Sequence, residues 1–263
     1  MPRFAANLSF LYAELPFLER FAAAARDGFG AVEYVSPYEE TAEAIKAELD
    51  ANDLEQALFN LPAGNWGGGE RGIGCLPDRV DEFRTGVDTA IRYADALGCR
   101  TVNCLAGIRP PTVSVEVADA TYVENLRFAA GKLAEADVTL VIEPINTRDI
   151  PGFHLTTTHH AERLLDAVGS DNLRIQYDLY HTQVMQGDLI PNFERLRQRI
   201  GHVQIADNPG RNEPGTGEIN YANVLAALDR LGYAGWVGCE YKPRAGTSEG
   251  LGWMRPYLER TNP

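Results

Sequence analysis

Short apolar runs alternate along the chain with longer stretches in which apolar residues recur every three or four positions. The first apolar run covers residues 3–8, and the helical pattern behind it ends at Gly28. Such runs are typical of buried strands, and the wider spacing is typical of amphipathic helices. The pattern predicts eight strands, each followed by helical material, at residues 3–8, 31–35, 54–61, 101–105, 139–143, 173–177, 202–206 and 236–240.

Strict alternation of strand and helix predicts a parallel sheet, and eight units predict its closure into a (β/α)8 TIM barrel. Barrels of this kind commonly occupy roughly 250 residues as one domain, and the 263-residue chain has no linker or break in composition. We therefore expect residues 1–263 to form a single domain. An open doubly wound sheet is the alternative, but it favours a glycine-rich first turn, and the turn after Leu8 reads Ser-Phe-Leu-Tyr.

Four of the predicted strands carry an oxygen-bearing side chain at or near their carboxyl ends. These residues are Glu143, Asp178, Gln204 and Glu240, and Pro144 ends the first of the strands. In a barrel the carboxyl ends of all strands meet at one face, so the three carboxylates converge and need a positive partner. A set of oxygen atoms suits Mg²⁺ or Mn²⁺ better than zinc. The alternative is that these acidic residues are solvated or cap helices.

The charge balance excludes two classes of partner. The chain has 24 basic and 37 acidic residues, a net charge of -13, and no long run of Lys or Arg, so neither nucleic acid nor an anionic membrane is expected to bind.

The first residues lack the apolar core of a signal peptide, and no window approaches the roughly 20 apolar residues of a membrane span. We expect a cytoplasmic protein. Its four cysteines form no Cys-x-x-Cys pair and are expected to be reduced.

Residues 62–76 form a glycine-rich segment without a regular pattern. Trp66 lies within it and either packs on the barrel rim or covers a substrate. A phosphate-binding loop is not expected, because the glycines lack both a Gly-Lys-Ser/Thr ending and a Gly-x-Gly-x-x-Gly register after a strand. Loops of this length are usually functional or disordered, and the role of this one stays open. Farther along, His159 and His160 follow a threonine cluster and are expected at the surface of a helix start.

Five motifs in the second half of the chain are distinctive. They read Val-Ile-Glu-Pro-Ile-Asn at 141–146, Gln-Tyr-Asp-Leu-Tyr-His at 176–181, His-Val-Gln-Ile-Ala-Asp at 202–207, Pro-Gly-Arg-Asn-Glu-Pro-Gly-Thr-Gly-Glu-Ile-Asn at 209–220 and Gly-Cys-Glu-Tyr at 238–241. With them the chain resembles, over essentially its whole length, the hydroxypyruvate isomerase family. That family belongs to the wider xylose isomerase-like barrels, which include ketose 3-epimerases and endonuclease IV.

The resemblance implies roles for individual residues. Glu143, Asp178, Gln204 and Glu240 match its metal positions, and the two glutamates also match its acid/base positions. His181 and Arg211 match substrate-contacting positions. Many epimerase relatives have His where this chain has Gln204, which favours the hydroxypyruvate isomerase branch over the epimerases.

The activity implied by the resemblance is the interconversion of hydroxypyruvate and tartronate semialdehyde, a reaction of glyoxylate metabolism, by metal-assisted proton transfer through an enediolate. Two carboxylates on opposite sides of the substrate could remove and return the proton, so Glu143 is expected to face Glu240 across it. A small oxo-acid substrate also carries a carboxylate, for which Arg211 or Arg148 is the expected partner. The alternative is that the arginine pairs with a loop acid.

Other activities stay open at this point. A 2-oxo-tetronate isomerase, a ketose 3-epimerase and a dehydratase could use the same barrel. DNA hydrolysis needs a His-rich zinc cluster and a basic face, whereas this chain has five His and is acidic. A non-enzymatic binder of sugar acids or metals would keep Asp178 and Gln204 without needing two proton-transferring glutamates. The oligomeric state, including a homo-oligomer, is also open.

Overall fold

The computed structural model describes residues 2–258, which contain a closed barrel of eight parallel strands. Each strand pairs with the next one along the chain, and the first pairs with the last to close the sheet. The predicted TIM barrel is confirmed, and the predicted strand boundaries agree with the observed ones to within two residues. The strands are β1 Arg3–Asn7, β2 Ala31–Tyr34, β3 Glu55–Asn60, β4 Thr101–Asn103, β5 Thr139–Ile142, β6 Leu173–Asp178, β7 Ile200–Ile205 and β8 Trp236–Cys239.

Helices follow the strands throughout the described part of the chain. Three begin at a residue whose hydroxyl accepts a hydrogen bond from the N–H three residues on, namely Thr41, Ser114 and Thr157. Such caps satisfy a donor that helix geometry leaves unpaired. The helices are α1 Glu19–Arg26, α2 Ala42–Ala51, α3 Val80–Leu97, α4 Val115–Glu135, α5 Thr158–Val168, α6 Leu179–Met185, α7 Leu189–Leu196, α8 Tyr221–Arg230, α9 Thr247–Gly250 and α10 Arg255–Leu258.

Helix α6 is an element that hydrophobic spacing does not predict. It begins directly after β6, where the carboxylate of Asp178 accepts a hydrogen bond of 2.8 Å from the N–H of His181. Residues 179–182 are all buried, so the first turn has no polar face and the helix has no amphipathic stripe. The same cap holds Asp178 and His181 side by side at the carboxyl end of the barrel.

Side chains alternate between the barrel interior and the layer under the helices. Cys239 belongs to the apolar layer around the barrel, so its neighbour Glu240 points the other way, into the barrel mouth. All four cysteines are buried free thiols, as expected. Within residues 2–258, no helix is both long and apolar enough to span a bilayer.

Candidate active site

Each of the eight strands contributes a buried polar side chain at or close to its carboxyl end. The four residues predicted from the sequence are all in this ring, and four others complete it. Asparagines supply three of the additional members, and a carboxylate supplies the fourth. The ring consists of Asn7, Glu33, Asn60, Asn103, Glu143, Asp178, Gln204 and Glu240, and none of the eight is more than 7% exposed.

Three carboxylates and one imidazole of this region lie close enough together to share a ligand. One potential metal-ligating atom from each of Glu143, Asp178, His181 and Glu240 lies within 4.8 Å of the other three. The sequence therefore correctly predicts that Glu143, Asp178 and Glu240 converge. His181 joins them because it stands in the first turn of α6, three residues after Asp178.

Each of these carboxylates has one oxygen held by a neighbouring N–H group. The Nδ2 atom of Asn103 donates to Oε2 of Glu143 at 3.3 Å, and that of Asn7 donates to Oε1 of Glu240 at 3.2 Å. The Oδ1 atom of Asp178 accepts the helix-cap bond described above. The other oxygens of Glu143 and Asp178, Oε1 and Oδ2, are buried without a hydrogen-bond partner.

Buried acceptors without partners are costly, so these two oxygens mark a place where a ligand fits. Hard oxygen donors in such a cluster are those that a divalent cation prefers. The residues present therefore fit the metal that the family resemblance implies.

Burial and mutual repulsion raise the pKa values of all three acids. Burial raises the pKa of Asp178 to about 6 and that of Glu240 to about 8. Burial, with the charges of Glu240 and Asp178 adding to it, raises the pKa of Glu143 well above its usual range. Without a cation, these carboxyl groups therefore keep their protons up to a higher pH than surface carboxyl groups do.

Arg211 is the cation that the chain itself supplies to this cluster. Its guanidinium pairs with Oε2 of Glu240 and lies 3.6 Å from Oδ2 of Asp149. It also stacks over the rings of Phe10 and Tyr180, at 4.6 and 5.4 Å from their centroids. Burial acts to lower its pKa, but the surrounding carboxylates raise it above its ordinary value.

The backbone of Arg211 is left-handed, with φ of 55°. This conformation is uncommon for a residue other than glycine, and strain of this kind clusters at functional sites. Arg211 lines the cavity at the site, as expected. It also lies near the loop acid Asp149, which is the contact that the alternative predicted.

The neighbours of His181 select one tautomer of its imidazole. The Nδ1 atom accepts a 2.6 Å hydrogen bond from Nδ2 of Asn146, whose Oδ1 accepts in turn from the N–H of Asp149 at 2.8 Å. Burial lowers the pKa of His181 well below its usual range, so the ring is neutral and carries its proton on Nε2. That N–H points toward the cluster, with Nε2 3.8 Å from Oε1 of Glu143.

Gln204 lies on the floor of the site and is held from two sides. Its Nε2 donates to Oε1 of Glu33 at 2.7 Å, and its Oε1 accepts from Nε2 of Gln176 at 2.6 Å. An amide oxygen has two lone pairs, so this one retains one for a further partner. The predicted role of Gln204 as a metal ligand stays a prediction.

Glu33 is a fully buried carboxylate in the barrel interior that the sequence prediction missed. It accepts hydrogen bonds from Asn7 at 2.9 Å and from Gln204, and Nε2 of His202 lies 2.6 Å from its Oε2. A methyl group at Gly238 would lie 2.3 Å from both of its oxygens, so β8 leaves room for this carboxylate. Asn7 bridges Glu33 to Glu240 and thereby connects the floor to the carboxylate cluster.

A cavity of about 1040 Å³ opens above the cluster, lined by Glu143, His181, Arg211 and Glu240 together with the glycine-rich segment. Trp66 lines it and remains 42% exposed. The guanidinium of Arg71 lies 4.2 Å from the centroid of the Trp66 ring.

The two remaining cations near the mouth differ in position. Arg148 is not among the residues that line the cavity; it is exposed and donates to Oδ1 of Asn208 at 3.1 Å. The structure therefore does not bring it to the cluster, since its loop turns the side chain toward the segment after β7. Lys242, which the sequence prediction passed over, lines the cavity instead.

The expectation for the paired histidines is half right. His159 is exposed, as expected. His160 is buried, which corrects the expectation of a surface residue; its Nε2 lies 2.8 Å from Oδ1 of Asp119. The first turn of α5 packs this face against α4, and no local sequence signal distinguishes the two neighbours.

Comparison with known proteins agrees with this architecture. The family described as xylose isomerase-like TIM barrel matches residues 21–257. The chain is 55% identical to the hydroxypyruvate isomerase of Escherichia coli (strain K12), a match that covers 98% of this chain and 100% of that protein. It is 50% identical to the 2-oxo-tetronate isomerase of Cupriavidus necator, over 99% of this chain and 100% of that one.

Solved structures extend the comparison. A crystal structure of a Brucella melitensis protein, described as an AP endonuclease of family 2, is 47% identical and superposes with a TM-score of 0.96, covering 98% of this chain and 99% of that one. The 3-keto-D-glucoside 4-epimerase of E. coli shares the fold with 22% identity and a TM-score of 0.79, over 97% and 99% of the two chains. The chain therefore belongs to the xylose isomerase-like TIM barrels and, within them, to the hydroxypyruvate isomerase family of isomerases.

Proposed function

We propose that this protein is an isomerase of small 2-oxo acids that interconverts hydroxypyruvate and tartronate semialdehyde. The observation that carries the proposal is the convergence of Glu143, Glu240, His181 and Arg211 at the floor of one cavity. The two glutamates supply proton-transferring groups, and the other two side chains supply donors for a substrate that bears both a carbonyl and a carboxylate. The hydroxypyruvate isomerase of E. coli, at 55% identity, supports the same substrate class.

A divalent cation, Mg²⁺ or Mn²⁺, is the proposed cofactor. Glu143, Asp178, Gln204 and Glu240 would hold it, and the unpartnered oxygens of Glu143 and Asp178 support this assignment. When bound, the cation supplies stabilisation of the negative charge that develops on the substrate oxygens during enolisation.

The proton is transferred between adjacent carbons of the substrate. One glutamate removes a proton from C3 of hydroxypyruvate, and the other delivers a proton to C2. The O3 hydroxyl loses its proton and O2 gains one, so that the ketone at C2 becomes a hydroxyl and C3 becomes the aldehyde. Asn7 holds one oxygen of Glu240 and Asn103 holds one oxygen of Glu143, so both carboxylates are oriented before substrate binds.

His181 and Arg211 are the proposed substrate-orienting residues. The neutral imidazole of His181 donates its Nε2 proton to a substrate oxygen, because Asn146 occupies its Nδ1. Arg211 binds the substrate carboxylate through its fork of N–H groups. Its NH2 group pairs with Oε2 of Glu240, so a bound substrate carboxylate would share or replace this contact.

Trp66 is proposed to cover the bound substrate. It lines the cavity on the glycine-rich segment and is 42% exposed without one. Arg71 stacks against its ring and donates to the carbonyl of Trp66 itself, which orders the loop around the indole. Burial of a half-exposed indole on ligand binding is favourable.

A second candidate substrate is 2-oxo-tetronate. A relative of that name is 50% identical over nearly the whole chain. The cavity of about 1040 Å³ slightly exceeds the range of about 300–1,000 Å³ that accommodates drug-sized ligands, so its size does not restrict the enzyme to three carbons. We propose for either substrate an enzyme of the cytoplasm. The net charge of -13 supports the further proposal that it binds neither nucleic acid nor an anionic membrane.

A substrate panel with and without chelator tests the proposal. Hydroxypyruvate, 2-oxo-tetronate, neutral ketoses and DNA with an abasic site are offered to the same preparation. We expect turnover of one or both oxo acids, its loss after chelation, and recovery on addition of Mg²⁺ or Mn²⁺. Turnover of neutral ketoses alone, or DNA cleavage without oxo-acid turnover, would contradict the assignment.

A further inference from the structure

A second cluster of metal-ligating side chains lies outside the active-site cavity. Asp119 stands in α4, His154 in the segment after β5, and His160 in the first turn of α5. The Nε2 atoms of both histidines lie 2.8 Å from the same oxygen, Oδ1 of Asp119. None of the three residues lines the active-site cavity, and the isomerase chemistry does not use them.

The environment of the cluster suits a transition metal ion. The side chains of His154 and His160 are 2% and 11% exposed, whereas that of Asp119 is 35% exposed. Two ligands are therefore fixed by packing, and the third opens the cluster to solvent. Each imidazole already presents a ring nitrogen to the shared carboxylate oxygen, and a neutral imidazole is the form that binds metal.

The donor spacing is close to that of a zinc site. Zn²⁺ binds imidazole nitrogen and carboxylate oxygen at about 2.0–2.2 Å, and donors at that distance around a tetrahedral ion lie about 3.4 Å apart. One ligand atom from each of Asp119, His154 and His160 already lies within 4.8 Å of the others. The two short contacts need an outward shift of roughly half an ångström to admit the ion.

We propose that Asp119, His154 and His160 form a second metal site that takes Zn²⁺, with water in the fourth position. The carboxylate supplies the one negative charge of the ligand set, so the occupied site keeps a net charge of +1. Nitrogen-rich ligands favour zinc over Mg²⁺, which separates this site from the oxygen-rich active site. On binding, each imidazole proton moves from Nε2 to Nδ1, so no group has to be oxidised or lost.

The proposed site connects three segments of the chain around the loop that follows the catalytic strand β5. That loop also carries Asn146, the partner of His181. Zinc at the site would therefore hold the loop against α4 and α5 and raise the melting temperature of the protein. An ordinary hydrogen-bonded triad, in which both imidazoles donate to the carboxylate, would bind no metal.

Zinc titration of the full-length protein tests the proposal. The Asp178→Asn variant, stripped with chelator and dialysed, serves as the background because it removes a carboxylate from the active-site cluster. His160→Gln and His159→Gln are then compared in this background; the two positions are neighbours, but only His160 contacts Asp119. Calorimetry with ZnCl₂ counts the ions bound, and the visible absorption of Co²⁺ reports their coordination.

We expect the background protein to bind one Zn²⁺ per chain and to give the intense Co²⁺ bands of a four-coordinate site. His159→Gln should leave binding unchanged, and His160→Gln should weaken it by at least about a hundredfold, because it removes a direct ligand. Far-UV circular dichroism without metal checks that the variants fold, and Asp119→Asn provides a second ligand deletion if His160→Gln does not. Absence of zinc binding in the background protein, or equal affinities for the ligand deletion and His159→Gln, would overturn the proposal.

Discussion

The replacement Asp178→Asn should make the metal-free protein more stable while weakening its metal binding. Asp178 is 1% exposed, and its Oδ2 is buried without a hydrogen-bond partner. Asparagine has the same shape, and its Oδ1 can still accept the N–H of His181 that caps α6. The replacement therefore removes one negative charge from the cluster and puts an N–H group in the place of the unpartnered Oδ2.

Charge repulsion and the raised pKa of Asp178 both indicate how much the free energy of unfolding should increase. Two carboxylates whose oxygens lie within 4.8 Å of one another would repel by at least about 3.5 kcal/mol if both were ionised, at an effective dielectric constant of about 20. Raising the pKa of Asp178 from 3.8 to about 6 corresponds to about 3 kcal/mol of lost stability, since one pKa unit equals about 1.4 kcal/mol. Allowing for relaxation, we expect the free energy of unfolding to rise by about 1–3 kcal/mol.

The pH dependence has a definite sign. Because the pKa is higher in the folded protein than in the unfolded chain, the folded state binds the proton more tightly. The penalty is absent below about pH 4, develops between pH 4 and 6, and is complete above the folded value of about 6. The variant should therefore exceed the natural protein in stability at about pH 7.5 by more than at about pH 4.5.

Urea unfolding in the presence of chelator measures this difference. Asp171→Asn, on the exposed turn before β6, is the matched control and should change the free energy of unfolding by less than about 0.5 kcal/mol. With saturating Mn²⁺ the order should reverse, because a ligand at a hundred times its dissociation constant adds about 2.7 kcal/mol, which the variant loses. A variant less stable than the natural protein in chelator at pH 7.5 would refute the idea of a repulsive, cation-binding cluster.

Three further replacements test other parts of the site. Gly238→Ala places a methyl group 2.3 Å from both oxygens of Glu33 and should lower the free energy of unfolding by about 1–3 kcal/mol, as measured by urea titration. Asn146→Ala removes the donor to Nδ1 of His181, so the ring proton is no longer fixed on Nε2. The replacement should lower kcat for hydroxypyruvate by about tenfold or more. Trp66→Ala should raise KM with little change in kcat, because a covering side chain contributes to substrate binding in the ground state.

These replacements have their own controls. Gly131→Ala in α4 meets no atom within 4 Å and should leave stability unchanged or raise it slightly. A Gly238→Ala protein as stable as this control would argue against the close approach of Glu33. Unchanged kcat in the Asn146→Ala protein would remove the tautomer argument, and a lowered melting temperature with unchanged KM would assign Trp66 to rim packing.

The sequence predicted the strands and half of the ring because those features are local. Strand 139–142 is apolar up to Glu143, and a carboxylate after such a run is conspicuous. Asn7, Asn60 and Asn103 are also the last residues of their strands. Because asparagine is common in turns, its presence there does not distinguish a site residue from a turn residue. The structure reveals their role through hydrogen bonds between residues far apart in the chain, such as Asn7 with Glu240.

Glu33 was overlooked although its sequence context indicates burial, whereas the position of the Arg148 side chain cannot be predicted from sequence. Glu33 lies within the run Ala-Val-Glu-Tyr-Val, where a charged residue in a strand buried on both faces signals an interior carboxylate; that signal was available and was missed. Arg148 has the right charge and lies two residues from Asn146, but the direction of its side chain depends on how the loop after β5 folds. No spacing rule predicts that direction.

The most direct test of the proposed proton transfer follows the hydrogen atoms of hydroxypyruvate in heavy water. With Mg²⁺ or Mn²⁺ present, nuclear magnetic resonance is used to monitor both isomerisation and deuterium at C3 for the natural protein, Glu143→Gln and Glu240→Gln. We expect the natural protein to isomerise with solvent exchange, and each variant to lose turnover by at least about a hundredfold while its circular dichroism is unchanged. Near-normal isomerisation in either folded variant would contradict a mechanism in which Glu143 and Glu240 share the proton transfer.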